Sequence, residues 1–324
     1  IYPEYLAAQE IISALKRTWA RNWFELHNGR IILAGVKLRQ GAPIVGMKLK
    51  DFAFTNRNFH VSAIKRNHET IIPRGDDHID AGDILYFTTT HDHIEELISL
   101  AGKCEQHIRR VLIMGGSKIA IRLVNLGHDE FKFKIIESDL ERCRKLPQKC
   151  PDCEIIHGDA RDTDLLADIG IADMDAFVAL TDSSETNIFT CLTAKESGVK
   201  KTVADVETIQ FISQAENLNI GTVVNKKLLA SSTIFQLLLD ADSSTAKCLA
   251  LADAEVAELE ARPGSKITRS AVKDLSLPRD LTLAGLIRGE EGMLITGNTI
   301  IEPGDHVLVF CLAGALHKVE KLFN

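Results

Sequence analysis

The chain has 324 residues, of which 45% are apolar and 26% are charged, so it is long enough for two or three domains with substantial cores. Its net charge is −7 and its lysines and arginines are scattered, which argues against a phosphate-tracking nucleic-acid surface. No apolar run approaches the roughly 18 residues of a membrane span, and no signal peptide is recognisable. The composition therefore predicts a cytosolic protein.

The chain begins inside an internal repeat. The helical segment 4–17 recurs at 226–240, and the surroundings of Arg66 recur around Arg288, both at an offset of 222 residues. A period this long indicates duplicated domains rather than a solenoid. Because the first residue falls within a repeat, the sequence predicts a native protein that extends before residue 1.

Both copies of this helical segment are apolar on more than one face, so each should be buried against more than its own domain. One interpretation is a linker helix in the core of the chain. The other, which the pattern favours, is a crossover helix that packs into a neighbouring subunit. The second interpretation predicts at least a dimer.

The stretches from about 30 to 100 and from about 246 to 324 share another pattern. Each predicts a strand, a short helix, a strand, a Gly-Asp turn, a strand and a final helix, with the turns at Gly82-Asp83 and Gly304-Asp305. A unit of roughly 75 residues buries little surface alone. We therefore expect each of these small α+β units to pack on a twin.

Between them, from Arg109 to Asn225, short apolar runs alternate with amphipathic helical patterns. Such alternation predicts a parallel sheet covered on both faces, hence a doubly wound α/β domain of about 115 residues. Gly127, Gly170 and Gly198 fall where helices should end, and we expect all three in the left-handed conformation that favours glycine.

A dinucleotide-type loop follows the first strand of this domain. The motif G-x-G-x-x-G/A places Gly115, Ser117 and Ala120 at its three small positions, and Glu137 ends the next strand. Glu137 can accept hydrogen bonds from the ribose hydroxyls and repels a 2′-phosphate, which favours NAD or an adenosine phosphate over NADP. Ser117 adds a Cβ where the pyrophosphate comes closest, so the alternative is a Rossmann-like domain that has lost its ligand.

Polar residues also end the third and fourth strands, where ligands bind in open α/β sheets. These tripeptides, 158–160 and 181–183, can border an adenine or ribose pocket, or they can serve only as turns beside helix caps at Asp162 and Ser183 or Ser184. No catalytic or metal-ligating residue is predicted. The candidate cofactor-binding residues are Gly115, Gly116, Ser117, Ile119, Ala120, Glu137, Ser138, Asp159, Ala160, Thr181 and Asp182.

Seven cysteines without a secretory pattern fit a reducing compartment. Cys150 and Cys153, with Cys143 nearby, form the one cluster that suggests redox or zinc chemistry. A structural zinc needs four ligands, and His128 and His157 could complete a set only if the fold brought them close. We therefore predict ordinary thiols.

The tandem arrangement, HGDA at 157–160, ALTDSSETNI at 179–188 and the twin Gly-Asp turns resemble the TrkA family. Its members regulate bacterial Trk potassium uptake and contain RCK (also called KTN) nucleotide-binding domains, each followed by a TrkA-C domain. The resemblance covers the whole chain. It implies the crossover helix and linker of a truncated first RCK_N domain at 1–29, a first TrkA-C domain at 30–102, a second, Rossmann-like RCK_N (TrkA-N) domain at 107–240 and a second TrkA-C domain at 241–324.

The resemblance also implies a function. In this family, binding of NAD(H), ATP or ADP shifts the conformation of a dimer or tetramer of RCK domains on the cytosolic face of a membrane-embedded potassium-translocating subunit. By position, Gly115, Ser117, Ala120, Glu137 and Asp159 would be the ligand contacts. The chain would be a non-enzymatic, cytoplasmic regulatory subunit held peripherally at the inner face of the membrane.

Two alternatives remain open at this level. An NAD-dependent dehydrogenase needs a positioned acid or base, but the Rossmann segment has no tyrosine and only two histidines. His128 follows a predicted helix end and suits capping, and His157 ends a strand, where packing is favoured. The other alternative is an RCK regulator of a different cation channel or efflux system.

Overall fold

The computed structural model describes residues 2–26, 29–67, 69–241, 247–251, 254–312 and 314–323. The helices over these residues are α1 (Pro3–Lys16), α2 (Leu49–Thr55), α3 (Ile94–Leu100), α4 (Lys118–Gly127), α5 (Leu140–Lys149), α6 (Thr163–Asp168), α7 (Ser184–Glu196), α8 (Ile209–Asn217), α9 (Lys226–Ala241) and α10 (Leu316–Phe323).

The strands up to the middle of the chain are β1 (Asn22–Leu26), β2 (Ile31–Lys37), β3 (His60–Arg66), β4 (Glu69–Ile71), β5 (Ile84–Thr89), β6 (Arg110–Met114), β7 (Lys132–Glu137) and β8 (Cys153–His157). The later strands are β9 (Ala176–Ala179), β10 (Lys201–Asp205), β11 (Thr222–Val224), β12 (Lys247–Leu251), β13 (Ala254–Glu260), β14 (Leu281–Arg288), β15 (Glu291–Leu294) and β16 (His306–Leu312). The chain forms two compact units, one of Ile1–Thr18 with Glu105–Ser231 and one of Trp19–Cys104 with Ser232–Asn324.

The first unit contains a six-stranded parallel sheet in the order β11-β10-β9-β6-β7-β8. From β6 the chain winds outward to β8, and from β9 it winds outward in the opposite direction. Separate apolar clusters cover the two faces of the sheet, because its strands are apolar on both sides. This arrangement confirms the doubly wound α/β fold. Its topological switch point lies between β6 and β9.

Helix α1 packs on this sheet domain, chiefly against α4. Ala7, Ala8 and Ile11 are fully buried in the cluster that also contains the apolar side of α4. Residues of the same chain therefore bury this face of α1, and packing of the helix into a neighbouring subunit stays a prediction. On the equivalent helix α9, Leu228 and Ile234 are 44% and 48% exposed.

The glycines at the ends of the helices have two different roles. Gly170 and Gly198 have φ values of 77° and 95°, so the predicted left-handed conformation is confirmed there. For Gly127 it is wrong, because this residue is the last of α4 and is not among those with positive φ. A Cβ at Gly127 would lie 2.7 Å from Ile12 Cδ1, so glycine lets the Ile12 side chain of α1 pack closely on α4.

The second unit contains two antiparallel sheets with equivalent strand orders, β1-β2-β5-β3-β4 and β12-β13-β16-β14-β15. A register shift occurs at equivalent places in both, between Val61 and Ala63 and between Leu283 and Gly285. Each sheet has an apolar cluster on its outer face, and the inner faces of the two sheets share a third cluster. The twin domains therefore pack face to face.

Equivalent residues of the twin domains meet at this interface. His60 Nε2 lies 3.2 Å from Thr282 Oγ1, and the two residues are 222 positions apart, which is the offset of the repeat. Contacts between equivalent positions are typical of a twofold interface. Burial lowers the pKa of His60 to about 4, so the imidazole is neutral near pH 7.

Each of the two sheets has an equivalent ion pair between an arginine of a strand and the aspartate of its Gly-Asp turn. Arg66 Nε and Nη2 donate to the carboxylate of Asp83 at 2.9 and 2.7 Å, and Arg288 donates to Asp305 at the same distances. Both aspartates are 2% exposed. A buried carboxylate with a bidentate arginine is a strong, geometrically specific contact.

Candidate nucleotide-binding site

The glycine loop lies at the carboxyl end of β6, beside the switch point. Gly115 has a φ of +94°, and a Cβ there would lie 3.0 Å from the carbonyl oxygen of Leu180 at the end of β9. Its N–H donates to the carbonyl of Ile136 at 2.8 Å. Only glycine suits this conformation and this close approach.

Glu137 fixes the conformation of the loop. Its carboxylate accepts from Gly116 N–H through Oε2 and from Asp139 N–H through Oε1, both at 2.8 Å. The side chain is 4% exposed, and a Cβ on Gly116 would lie 2.6 Å from Leu146 Cδ1. Oε1 also accepts a long hydrogen bond from Ser138 Oγ at 3.4 Å, which a ribose hydroxyl would replace, and Oε2 has a second acceptor site. Glu137 can therefore hold the loop and still accept from ribose hydroxyls.

Ser117 is the N-cap of α4. Its φ of −71° and ψ of 172° are ordinary extended values, and its Oγ accepts from Ala120 N–H at 3.3 Å. The departure from glycine therefore causes no backbone strain. The hydroxyl accepts from one N–H of the first turn, that of Ala120. The N–H groups of Lys118 and Ile119 have no partner within the helix. The helix start can still bind an anion.

The ends of β8 and β9 form the opposite wall. Arg161 forms a bidentate pair with Asp159, and its side-chain hydrogen bonds lower the pKa of that carboxyl. Asn187, which is fully buried, accepts from Thr181 N–H and Oγ1 at 3.0 and 2.6 Å and donates to the carbonyl of Asp205. Asn187 thus fixes the loop after β9.

The glycine loop, Glu137 and the ends of β8 and β9 line one cleft of about 180 Å³. Of the predicted site residues, the structure brings together Gly115, Gly116, Ser117, Glu137, Ser138, Asp159, Ala160, Thr181 and Asp182. Ile119 lines an adjoining cleft instead, and Ala120 is fully buried. Gly158, the first residue of the tripeptide 158–160, also lines the cleft. The sequence motifs did not indicate four further lining residues, Met114, Ile136, Arg142 and Leu180.

Arg142 is the most informative of these additional residues. It is 57% exposed, and its Nη1 lies 3.9 Å from Glu137 Oε2. It follows the N-cap Asp139, which accepts from Arg142 N–H at 3.0 Å. The sequence signal that could have identified Arg142 is a cationic residue in the first turn of α5, soon after the acidic end of β7.

Four polar residues that the sequence analysis considered act as helix caps or contact the backbone. Asp162 accepts from Asp164 N–H at the start of α6, and Ser183 accepts from Thr186 N–H at the start of α7. His128 Nδ1 lies 3.1 Å from the carbonyl of Asn125 at the end of α4, and His157 Nε2 lies 3.2 Å from the carbonyl of Ser138. Neither histidine is among the described residues that line the cleft.

The three cysteines of the sequence cluster contact different parts of the domain, and Cys153 Sγ donates to the carbonyl of Phe133 at 3.4 Å. Cys143 Sγ donates to the carbonyl of Glu137, and Cys150 is fully buried. Burial raises the pKa of all three thiols, that of Cys153 to about 12. Over the described ranges, no group of three or more metal-ligating side chains is placed to hold an ion. These thiols are protonated packing groups.

The sheet order, the glycine loop and the buried acid define a Rossmann-like domain with a candidate nucleotide site. The chain also contains a pair of twin α+β domains. Family models agree with this class: the TrkA-N domain matches residues 111–226, and the TrkA-C domain matches residues 33–102 and again 256–324. The chain therefore belongs to the TrkA family.

Named relatives support the assignment. A protein called Trk system potassium uptake protein TrkA from Halomonas elongata is 30% identical over 333 residues, which cover all of this chain and 72% of the relative. The protein of the same name from Vibrio alginolyticus is 29% identical over 330 residues, with the same coverage.

Solved structures share the fold. The GsuK RCK domain has a TM-score of 0.54 at 15% identity and covers 100% of this chain and 70% of its own. The GsuK channel bound to NAD has a TM-score of 0.53 at 14% identity, over 99% of this chain and 57% of its own. In the described part of the chain, no helix is long and apolar enough to cross a membrane.

Proposed function

We propose that the chain is a regulatory subunit of a Trk-type potassium uptake system that binds NAD(H), ATP or ADP in the cleft and gates potassium flux. The observation that carries the proposal is the buried Glu137, which holds the glycine loop at the switch point of the sheet. Family membership supports the transport role. The domains implied by the resemblance, at 1–29, 30–102, 107–240 and 241–324, are part of this proposal.

The geometry favours adenine nucleotides without a 2′-phosphate. Glu137 would accept from both ribose hydroxyls, and its negative charge would repel a phosphate at the 2′ position of that ribose. The phosphates would pass over Gly115 and Gly116 to the open N–H groups of α4. The eleven cofactor-binding residues predicted from the sequence, Ile119 and Ala120 included, remain the proposed set.

The proposed mechanism is a shift in population between two conformations. A nucleotide does work on the gate only by the difference between its affinities for the two conformations. The subunit would act without catalysis, as a dimer or tetramer on the cytoplasmic side of a membrane-embedded potassium-translocating partner. The names of the relatives support a role in potassium uptake.

Ser117→Gly is expected to raise the affinity for ADP by about threefold. The change removes the Cβ where the phosphates come closest and frees the Ala120 N–H, while glycine costs an N-cap only a few tenths of a kcal/mol. Isothermal titration calorimetry on the wild type and the variant measures this. Ser183→Gly is the matched control, because Ser183 caps α7 in the same way and does not line the cleft. A weaker affinity in Ser117→Gly would show that the hydroxyl is itself a ligand contact.

Rubidium uptake tests the transport role. Deletion of the gene for the full-length protein is expected to reduce uptake at low external potassium, and the wild-type gene should restore it. Unchanged uptake in the deletion strain would contradict the Trk assignment and favour a regulator of another cation channel or efflux system.

A further inference from the structure

A second cleft, of about 470 Å³, adjoins the nucleotide cleft across the glycine loop. The two clefts share the lining residues Gly116, Ser117, Arg142, Leu180, Thr181 and Asp182. The second cleft also has three lysines, Lys118, Lys149 and Lys226. With Arg142 the lining has four cations against the three carboxylates of Glu4, Asp182 and Asp205. Phosphates that leave the first cleft over the glycine loop would therefore come close to lysine side chains.

Lys226, the first residue of α9, already has a partner outside this cleft. Its Nζ forms an ion pair with Glu207 Oε1, and Lys227 Nζ lies 3.0 Å from Glu207 Oε2. The side chains of Lys226 and Glu207 are 26% and 30% exposed. Of the two lysines, Lys226 lines the second cleft, whereas Lys227 is 64% exposed and is not among the described lining residues.

The carboxyl group of Asp205 lines the second cleft together with Lys226 and interacts with its charge. Asp205, at the end of β10, lines the same space, is 4% exposed and has no hydrogen-bond partner for Oδ1 within the described residues. Burial raises its pKa to about 6, and the charge of Lys226 opposes this shift. Lys226 thus has a negative neighbour whether or not it contacts Glu207.

The side chain of Asn225, the residue before Lys226, connects the end of β10 to the first turn of α9 by hydrogen bonds. Asn225 is 6% exposed, and its Nδ2 donates to the carbonyl of Val206 at 2.7 Å. Its Oδ1 accepts from Lys227 N–H and Leu228 N–H at 3.0 and 2.9 Å, as an N-cap does. A change in the partner of Lys226 therefore acts directly on the capped first turn of α9.

We propose that Lys226 exchanges Glu207 for the phosphates of a bound nucleotide and so couples occupancy of the cleft to the first turn of α9. The proposal rests on the proposed nucleotide binding and adds the residue that transmits it. The pair with Glu207 is partly exposed and therefore weak. A pyrophosphate offers more charge and more acceptor oxygens to the same ammonium group.

Calorimetric titration of the 324-residue chain with ADP tests the exchange. Lys226→Gln is expected to lower the affinity by about tenfold, which is the loss of one charged hydrogen bond. Lys227→Gln, the matched control, should stay within about twofold, because it removes the same charge beside Glu207 but lies outside the cleft. Glu207→Gln should raise the affinity by about threefold, since it releases Lys226.

Hydrogen exchange over residues 226–234 supplies a second readout. ADP is expected to change exchange there in the wild type and in Lys227→Gln but not in Lys226→Gln. Unchanged affinity in Lys226→Gln, or an equal loss in both lysine variants, would overturn the proposal while leaving nucleotide binding intact. If the wild type binds neither ADP nor NADH, both this proposal and the proposed nucleotide function fail.

Discussion

Glu137→Ala is expected to lower the affinity for NADH and for ADP by about 100-fold. The variant loses the acceptor for both ribose hydroxyls, and hydrogen bonds to a charged group contribute about 1.5–3 kcal/mol each. It also releases the Gly116 N–H, so the glycine loop loses the contact that fixes its conformation. Calorimetric titration with both nucleotides measures the change.

Two controls separate ligand binding from folding in this experiment. Glu141→Ala removes a carboxylate that is 66% exposed and pairs with Arg144 on the outside of α5, so nucleotide affinity should stay at the wild-type value. Circular dichroism should show that the Glu137 variant keeps its helices. An affinity within threefold of the wild type in Glu137→Ala would contradict the assigned role of this carboxylate.

Asp83→Ala is expected to destabilise the unit of twin domains by about 3 kcal/mol. The substitution removes a buried carboxylate that accepts two hydrogen bonds from Arg66 and one from the Asp80 N–H. Arg66 keeps its ion pair with Asp80, but hydrogen bonds to a charged group contribute about 1.5–3 kcal/mol each. Asp305→Ala should have a similar effect, because its contacts with Arg288 and Glu302 N–H are equivalent.

Urea unfolding followed by tryptophan fluorescence measures this loss, because Trp19 and Trp23 both belong to that unit. The matched control is Asp76→Ala, whose carboxylate is 84% exposed and pairs with Lys50 on the surface. It should leave the urea midpoint almost unchanged. Equal midpoints for Asp83→Ala and Asp76→Ala would show that the Gly-Asp turn is not held by its ion pair.

The fold of the Rossmann domain could be predicted because its signals are local. The apolar runs between Arg109 and Asn225 became the strands of one parallel sheet, and their alternation with helical patterns allows few other folds. Strand β1 shows the limit of this approach. It lies in a stretch interpreted as a linker, and only its pairing with β2 in the folded chain makes it a strand.

The prediction of a positive φ at Gly127 was wrong because a tertiary contact, not the helix end alone, determines this position. A glycine near a helix end suits a positive φ and a close helix contact equally well, so the sequence could not show that Gly127 serves the contact with Ile12. Likewise, two-sided hydrophobicity required α1 to be buried but could not name its partner. In the structure, α1 packs against α4 of the same chain.

The composition of the site was only partly visible in the sequence. Gly115 and Glu137 follow a motif with a physical reason at each position, and the structure places both in the cleft. Asn187, which fixes Thr181, is one of several polar residues in the helix α7. Nothing in the local sequence distinguishes it from a polar residue on the surface. The capping role of Ser117 depends on its backbone conformation, which the motif alone does not specify.

Calorimetric titration of the 324-residue chain with NADH, NAD, ATP, ADP and NADPH tests the central claim most directly. We predict saturable binding of one or more of the four nucleotides that lack a 2′-phosphate and at least tenfold weaker binding of NADPH. Absence of binding by all five would contradict the claim. This domain would then be a structural half of the regulator.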